Sequence, residues 1–100
     1  LEKIEIQEVF DAASFATELA HGNFLAVITE FHLDWMDGIQ VIQSVKSLWP
    51  NRPVILLTTG IKPEQLTDAL RAGLDGYVAK ESSGYVRLPA VLLEQLERQT

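Results

Sequence analysis

The chain has 100 residues, a hydrophobic fraction of 47%, a net charge of -6 and no cysteine. That length holds one domain, 1–100, with one modest core, and the acidic balance argues against nucleic acid or an anionic membrane as the partner of its surface. Disulfides, cysteine-based zinc sites and thiol catalysis are excluded, no apolar run is long enough to span a bilayer, and the charged start Leu1-Glu2-Lys3 does not read as a signal peptide.

In chain order, Ile4 to Val9 alternates apolar Ile4, Ile6 and Val9 or Phe10 with polar Glu5, Gln7 and Glu8, which predicts a short strand with one wetter face. Asp11 caps a helix whose stripe is Ala12, Phe15, Ala16, Leu19 and Ala20, ended by His21-Gly22-Asn23. His21 sits where a basic group suits a helix C-terminus. Leu25 to Thr29 is a continuous apolar run ending at Glu30, the pattern of a parallel strand buried on both faces. A loop from Phe31 to Gly38 follows. Asp37 is placed to cap the next helix, Ile39 to Trp49, with Val41, Ile42, Val45, Leu48 and Trp49 on its inner side. Pro50-Asn51-Arg52-Pro53 turns the chain.

Val54 to Leu57 is a second buried strand ending in Thr58-Thr59-Gly60. Pro63 suits the first turn of a third helix, with Leu66, Ala69 and Leu70 as its apolar positions and Gly73 as its stop. Gly76 to Ala79 is a third short strand, ending at Lys80. Glu81 to Gly84 reads as a loop and Pro89 as the opening of the last helix, with Leu88, Val91, Leu92 and Leu96 facing inward. Helices alternating with short buried strands predict an α/β fold, an open parallel sheet joined by right-handed crossovers.

Open parallel sheets bind ligands beyond the carboxyl ends of their strands. Three such ends carry Glu30, Thr58 and Lys80. Taken singly, an acid or a lysine at a strand end is ordinarily a cap or a solvated loop residue. Together a carboxylate, a hydroxyl and an ammonium can handle a phosphoryl group: the carboxylate as nucleophile, Thr58 as hydrogen-bond donor and Lys80 as a compact positive charge. Main-chain N–H groups near Thr59-Gly60 add donors. A small acid–base enzyme using Glu30 with Lys80 is a competing reading, weakened by the short chain and the lack of a second general acid. A structural interaction module is another. His32 has no second histidine or cysteine nearby to make a metal site, and Trp35 and Trp49 read as packing residues.

Val27-Ile28-Thr29-Glu30 followed by Trp35-Met36-Asp37-Gly38, the strand Val54 to Thr58, and the run Ala69-Leu70-Arg71-Ala72-Gly73-Leu74-Asp75-Gly76-Tyr77-Val78-Ala79-Lys80 resemble, in this order, the receiver domain of two-component response regulators. The resemblance covers essentially the whole chain. It implies a flavodoxin-like sheet with helices on both faces, no enzyme activity of the domain itself, a cytoplasmic setting, and a histidine kinase or phosphotransfer protein as partner. The end, Arg87 to Ala90, is similar to receivers that belong to larger hybrid sensor proteins. It places Glu30 at the phosphoacceptor position, Thr58 at the switch hydroxyl, Lys80 at the phosphate-contacting lysine and Tyr77, with Thr59, in the switch.

Three departures qualify that resemblance. Glu30 stands where the family has aspartate, and the added methylene moves the carboxylate by about one bond length in a site where shifts of ~1 Å can cost ~100-fold. The family's first strand and helix, whose acidic pair binds Mg²⁺, have no counterpart in these residues. The expected fold therefore has four strands and about four helices, and Glu30 alone is a thin Mg²⁺ site. The uncovered apolar surface left by that unit favours dimerisation, unless the unit lies in sequence ahead of Leu1, which is the favoured expectation. Glu81 replaces the family's proline, so a trans peptide is expected after Lys80. The alternative within the family is a phosphorylation-independent pseudo-receiver acting as a protein-interaction module.

Overall fold

The computed structural model describes residues 9–80 and 82–98. The elements run α1 (Ala12–His21), β1 (Val27–Thr29), α2 (Gly38–Leu48), β2 (Val54–Thr58), α3 (Pro63–Ala72), β3 (Gly76–Ala79) and α4 (Ser82–Arg98). Among the described residues the strands form one parallel sheet in the order β1-β2-β3. Val27 pairs with Val54 and Thr29 with Leu56, while Leu56 pairs with Tyr77 and Thr58 with Ala79. The strand expected over Ile4–Val9 lies outside the described residues except for Val9, which is in no strand. The peptide after Lys80 also lies outside them.

The helix ends follow from local chemistry. The Asp11 carboxylate accepts from the Ser14 N–H, and Gly22, at φ 68°, closes α1 in the left-handed region that glycine enters without a Cβ clash. Asp37 and Gln40 form a reciprocal capping box at the start of α2, as expected for Asp37. Pro63 opens α3, and the Gln65 side chain accepts from the Lys62 N–H.

The central strand β2 is the most enclosed, with Val54, Ile55 and Leu56 fully buried. Its Val54/Leu56 side joins Phe15 and Leu19 of α1, Val41, Ile42 and Val45 of α2 and Ala69 of α3 in one core. On the opposite face Gly76 leaves room for α4: a Cβ there would stand 3.2 Å from Val91 Cγ1 and 3.5 Å from Ile55 Cγ1. Helices thus cover both faces.

Four expectations need correction. β1 is shorter than Leu25–Thr29 and is not buried on both faces: Leu25 is 72% exposed, and Ile28, opposite Ile55, is 40% exposed. The reason is position: β1 and β3 are the two edges of the described sheet, and α4 packs along β3. Leu70 and Leu48 are exposed, so the inner sides of α3 and α2 rest on Ala69 and on Val41, Ile42 and Val45. Pro89 lies inside α4, which already begins at Ser82 in the expected loop. Proline's fixed φ is helical, so it marks a helix without fixing where the helix starts, and the donor it lacks is offset by packing of the later turns on β3. The inner face expected for α4 is present, with Leu88, Val91, Leu92 and Leu96 half-buried, but its most buried residue is polar, Gln95.

Candidate functional site

Parallel register delivers the three strand ends to one edge. Thr58 closes β2, Glu30 follows β1 and Lys80 follows β3. The Lys80 N–H donates to the Thr58 carbonyl at 2.8 Å, which continues the β2–β3 ladder by one step and fixes the lysine beside the threonine. From there the Lys80 ammonium reaches across the end of β2 and ion-pairs with Glu30 Oε1. The side chains are 35% and 44% exposed, so water screens the pair and keeps it open to exchange of partners. The structure therefore brings together Glu30 and Lys80, fifty residues apart, as the sequence pattern expects.

Thr58 is buried, whereas Thr59 and Gly60 beyond it are exposed. An open pocket of about 140 Å³ lies there, lined by Thr58, Thr59, Gly60, Tyr77, Ala79 and Lys80. Tyr77 is half-buried and packs at the margin of the core. The switch candidates thus share one cavity that opens next to the ion pair.

The loop after Glu30 is pinned at both ends. His32 bridges Asp37 in antiparallel fashion, and the Gly38 N–H donates to the Phe31 carbonyl at 2.7 Å. Asp37 accepts from the Gln40 N–H in the helix cap, and Asp34 is exposed. His32 is exposed with its ring edge-on to Phe31, and His21 ends α1. Trp35 packs on Phe15 with ring centroids 5.5 Å apart, in the packing role expected for it.

Mg²⁺ requires near-octahedral oxygen coordination, commonly from one or two carboxylates with waters and substrate oxygens. Among the described residues no group of three or more histidine, cysteine, aspartate or glutamate side chains is placed to hold a metal ion, and Glu30 already faces an ammonium. These residues by themselves do not fit the ion.

Two features escape a sequence reading. Gly38 approaches the Glu30 backbone closely, a contact that the Asp37-Gly38 pair hints at but does not specify. At the opposite end of the sheet, the Arg52 guanidinium lies over both Phe24 and Trp49, 5.0 and 4.7 Å from the ring centroids. Arg52 also donates to the Gly22 and Phe24 carbonyls at 2.8 and 2.5 Å, and Trp49 Nε1 donates to the Leu19 carbonyl at 2.7 Å. Lys46 pairs with Asp75 at 2.6 Å, and Asp75 also accepts from the Val54 N–H.

Comparison with known proteins bears on the family and the fold. The profile of the response regulator receiver domain matches residues 1–90, and the chain belongs to that family. It is 29% identical over 94 residues to the chemotaxis protein CheY-3 of Vibrio cholerae, covering 92% of this chain and 68% of that one. It is 29% identical over 93 residues to the chemotaxis protein CheY of Pseudomonas aeruginosa, covering 91% and 71%. Among solved structures, the receiver domain of NtrX from Brucella abortus superposes with a TM-score of 0.82 at 24% identity, over 94% of this chain and 79% of that one. The longer NtrX chain bound to ADP superposes with a TM-score of 0.78 at 24% identity, with 91% of this chain matching 21% of that one. The fold is the flavodoxin-like receiver fold, and the family's role is two-component signal transduction. Among the described residues no helix is long and apolar enough to cross a membrane.

Proposed function

We propose that this domain is switched at its Glu30–Thr58–Lys80 edge by a phosphoryl group delivered by a histidine kinase or phosphotransfer protein. The observation that carries this reading is the Glu30–Lys80 ion pair across the end of β2, beside the Thr58–Tyr77 pocket. In the transfer, a Glu30 carboxylate oxygen attacks phosphorus. The new O–P bond forms as the P–N bond to the donor imidazole breaks, and the imidazole nitrogen keeps the electron pair and takes a proton from water. Lys80 then exchanges the carboxylate for phosphoryl oxygens, a charge-assisted contact that its compact ammonium suits. Thr58 donates to the same group, and its displacement reshapes the pocket beneath Tyr77, changing which partners the β3–α4 side can engage. An acidic, cysteine-free surface suits a cytoplasmic setting for this exchange.

A second reading has one observation in its favour: the Glu30 carboxylate is already paired, and the described residues supply no metal-binding group beside it. On that reading the domain is a phosphorylation-independent interaction module. Glu30 then supplies a charge of -1 where a phosphate would supply roughly -1.5 to -2. Incubation with a small acyl phosphate in Mg²⁺-containing buffer, followed by intact mass measurement, separates the two. One added phosphoryl that disappears in Glu30→Gln supports the first reading. An unmodified protein whose Glu30→Asp variant takes up the group overturns it in favour of the second.

A further inference from the structure

Gly38 is buried at the first turn of α2, yet its φ is not in the left-handed region, so backbone freedom does not explain a glycine there. Space does. A Cβ at this position would stand 2.8 Å from the Glu30 carbonyl oxygen and 2.9 Å from Phe31 Cα. Both are main-chain atoms without a rotamer to yield, so any side chain at position 38 must displace the peptide that joins Glu30 to Phe31. The Gly38 N–H bond to the Phe31 carbonyl, at 2.7 Å, ties the next peptide, Phe31–His32, to the same helix start. The Asp37–Gln40 capping box holds the first turn against which it rests.

We infer that Gly38 is a positioning residue: its missing side chain lets the Glu30–Phe31 peptide seat on α2, and that seat puts the Glu30 carboxylate within reach of Lys80. The inference builds on the reading of Glu30 and Lys80 as the working pair. Thr29 buries its side chain and donates to the Glu30 carbonyl at 3.0 Å, so the backbone of Glu30 is held from β1 as well as from α2. With the backbone fixed on two sides, the side-chain torsions of Glu30 and its pairing with Lys80 set where the carboxylate lies. A displacement at Gly38 therefore passes directly to the ion pair.

The test reads the ion pair, not activity. Limiting acetic anhydride acetylates lysines in proportion to the accessible free amine, and peptide mass spectrometry reports each lysine separately. Glu30→Gln defines the Lys80 rate once its Glu30 partner is lost. Gly38→Ala is expected to raise Lys80 acetylation towards that level, by roughly two- to five-fold as suits a screened pair. Lys46, paired with Asp75 at the far end of the sheet, should keep its wild-type rate. Lys80 acetylation at the wild-type rate in Gly38→Ala overturns the inference. So does a rise at Lys46 in step with Lys80, because that reports general loosening of the fold. Should Gly38→Ala fail to fold, Asp37→Ala removes the cap without adding an atom at 38. It must then raise Lys80 acetylation by a smaller factor, and no change overturns the inference. A wild-type protein that takes up no phosphoryl group, with Lys80 acetylation still raised by Gly38→Ala, overturns the reading of the site and leaves the positioning role standing.

Discussion

The two ends of the sheet are built to opposite standards. At the amino ends of the strands, Arg52 is clamped between two rings and two carbonyls, Trp49 is hydrogen-bonded to α1, and Asp75 answers both Lys46 and the Val54 N–H. At the carboxyl ends, the partly exposed Glu30–Lys80 ion pair lies beside an open pocket bordered by Thr58 and Thr59. Each contact of the first end is backed by another, whereas breaking the Glu30–Lys80 pair exposes charges that water readily solvates. Under the proposed switching at the Glu30 edge, the domain benefits from this division. Local opening is cheap where contacts are few and solvated, and the redundant end keeps it from spreading.

Substitutions at the two ends test that contrast, and the largest effect is expected at the amino end. Trp49→Ala removes a ring from the core margin together with its bond to Leu19, and should lower unfolding stability in urea by about 3 kcal/mol. Arg52→Lys keeps the charge but loses the flat guanidinium and its paired bonds, for about 1–2 kcal/mol. At the other end Glu30→Gln should move stability by no more than ~1 kcal/mol. A loss there equal to that of Trp49→Ala would erase the contrast.

The smallest effect concerns acid. The Ser14 N–H bond holds the Asp11 carboxyl below its ordinary value of 3.8. A carboxyl depressed in the folded state stabilises fully above its unfolded value and loses that contribution as pH falls through the lower folded value. Asp11→Asn should therefore flatten the decline of stability below about pH 4, since 3.8 is the unfolded reference. It should leave the decline unchanged if the cap is idle. Thermal unfolding monitored between neutral and acid pH reads the difference.

Most of the fold is legible in the sequence because its punctuation is chemical. Asp11, Gly22, Asp37, Pro63 and Gly73 mark helix ends by capping or by φ, and each marks the same boundary in the structure. The apolar runs Val54 to Thr58 and Gly76 to Ala79 both read as strands and are strands: β2 is almost wholly buried, and β3, half-buried apart from Val78, is paired along it. The failures lie where covering depends on partners distant in sequence. Leu25 and Ile28 have the composition of core residues, but their exposure is decided by what lies beside β1. Pro89 carries a local signal for a helix and none for its length. The placement of Glu30, Thr58 and Lys80 at one edge is readable because the carboxyl ends of parallel strands lie on the same side of a sheet. Gly38 and the Arg52 clamp are not, because close approach and ring stacking leave no periodic trace.

The placement of β2 between two parallel neighbours also prescribes an order of assembly. Neither β1 nor β3 has a described sheet partner other than β2, and each reaches it only after a helical crossover. Closing those crossovers costs chain entropy before any pairing returns it, so the folding rate should hinge on when β2 is in place. Truncations in β2, such as Ile55→Val, should chiefly slow refolding, whereas Ile28→Val at the edge should chiefly hasten unfolding. Stopped-flow chevrons of the two variants would show it, and equal slowing of refolding by both would refute a β2-centred nucleus.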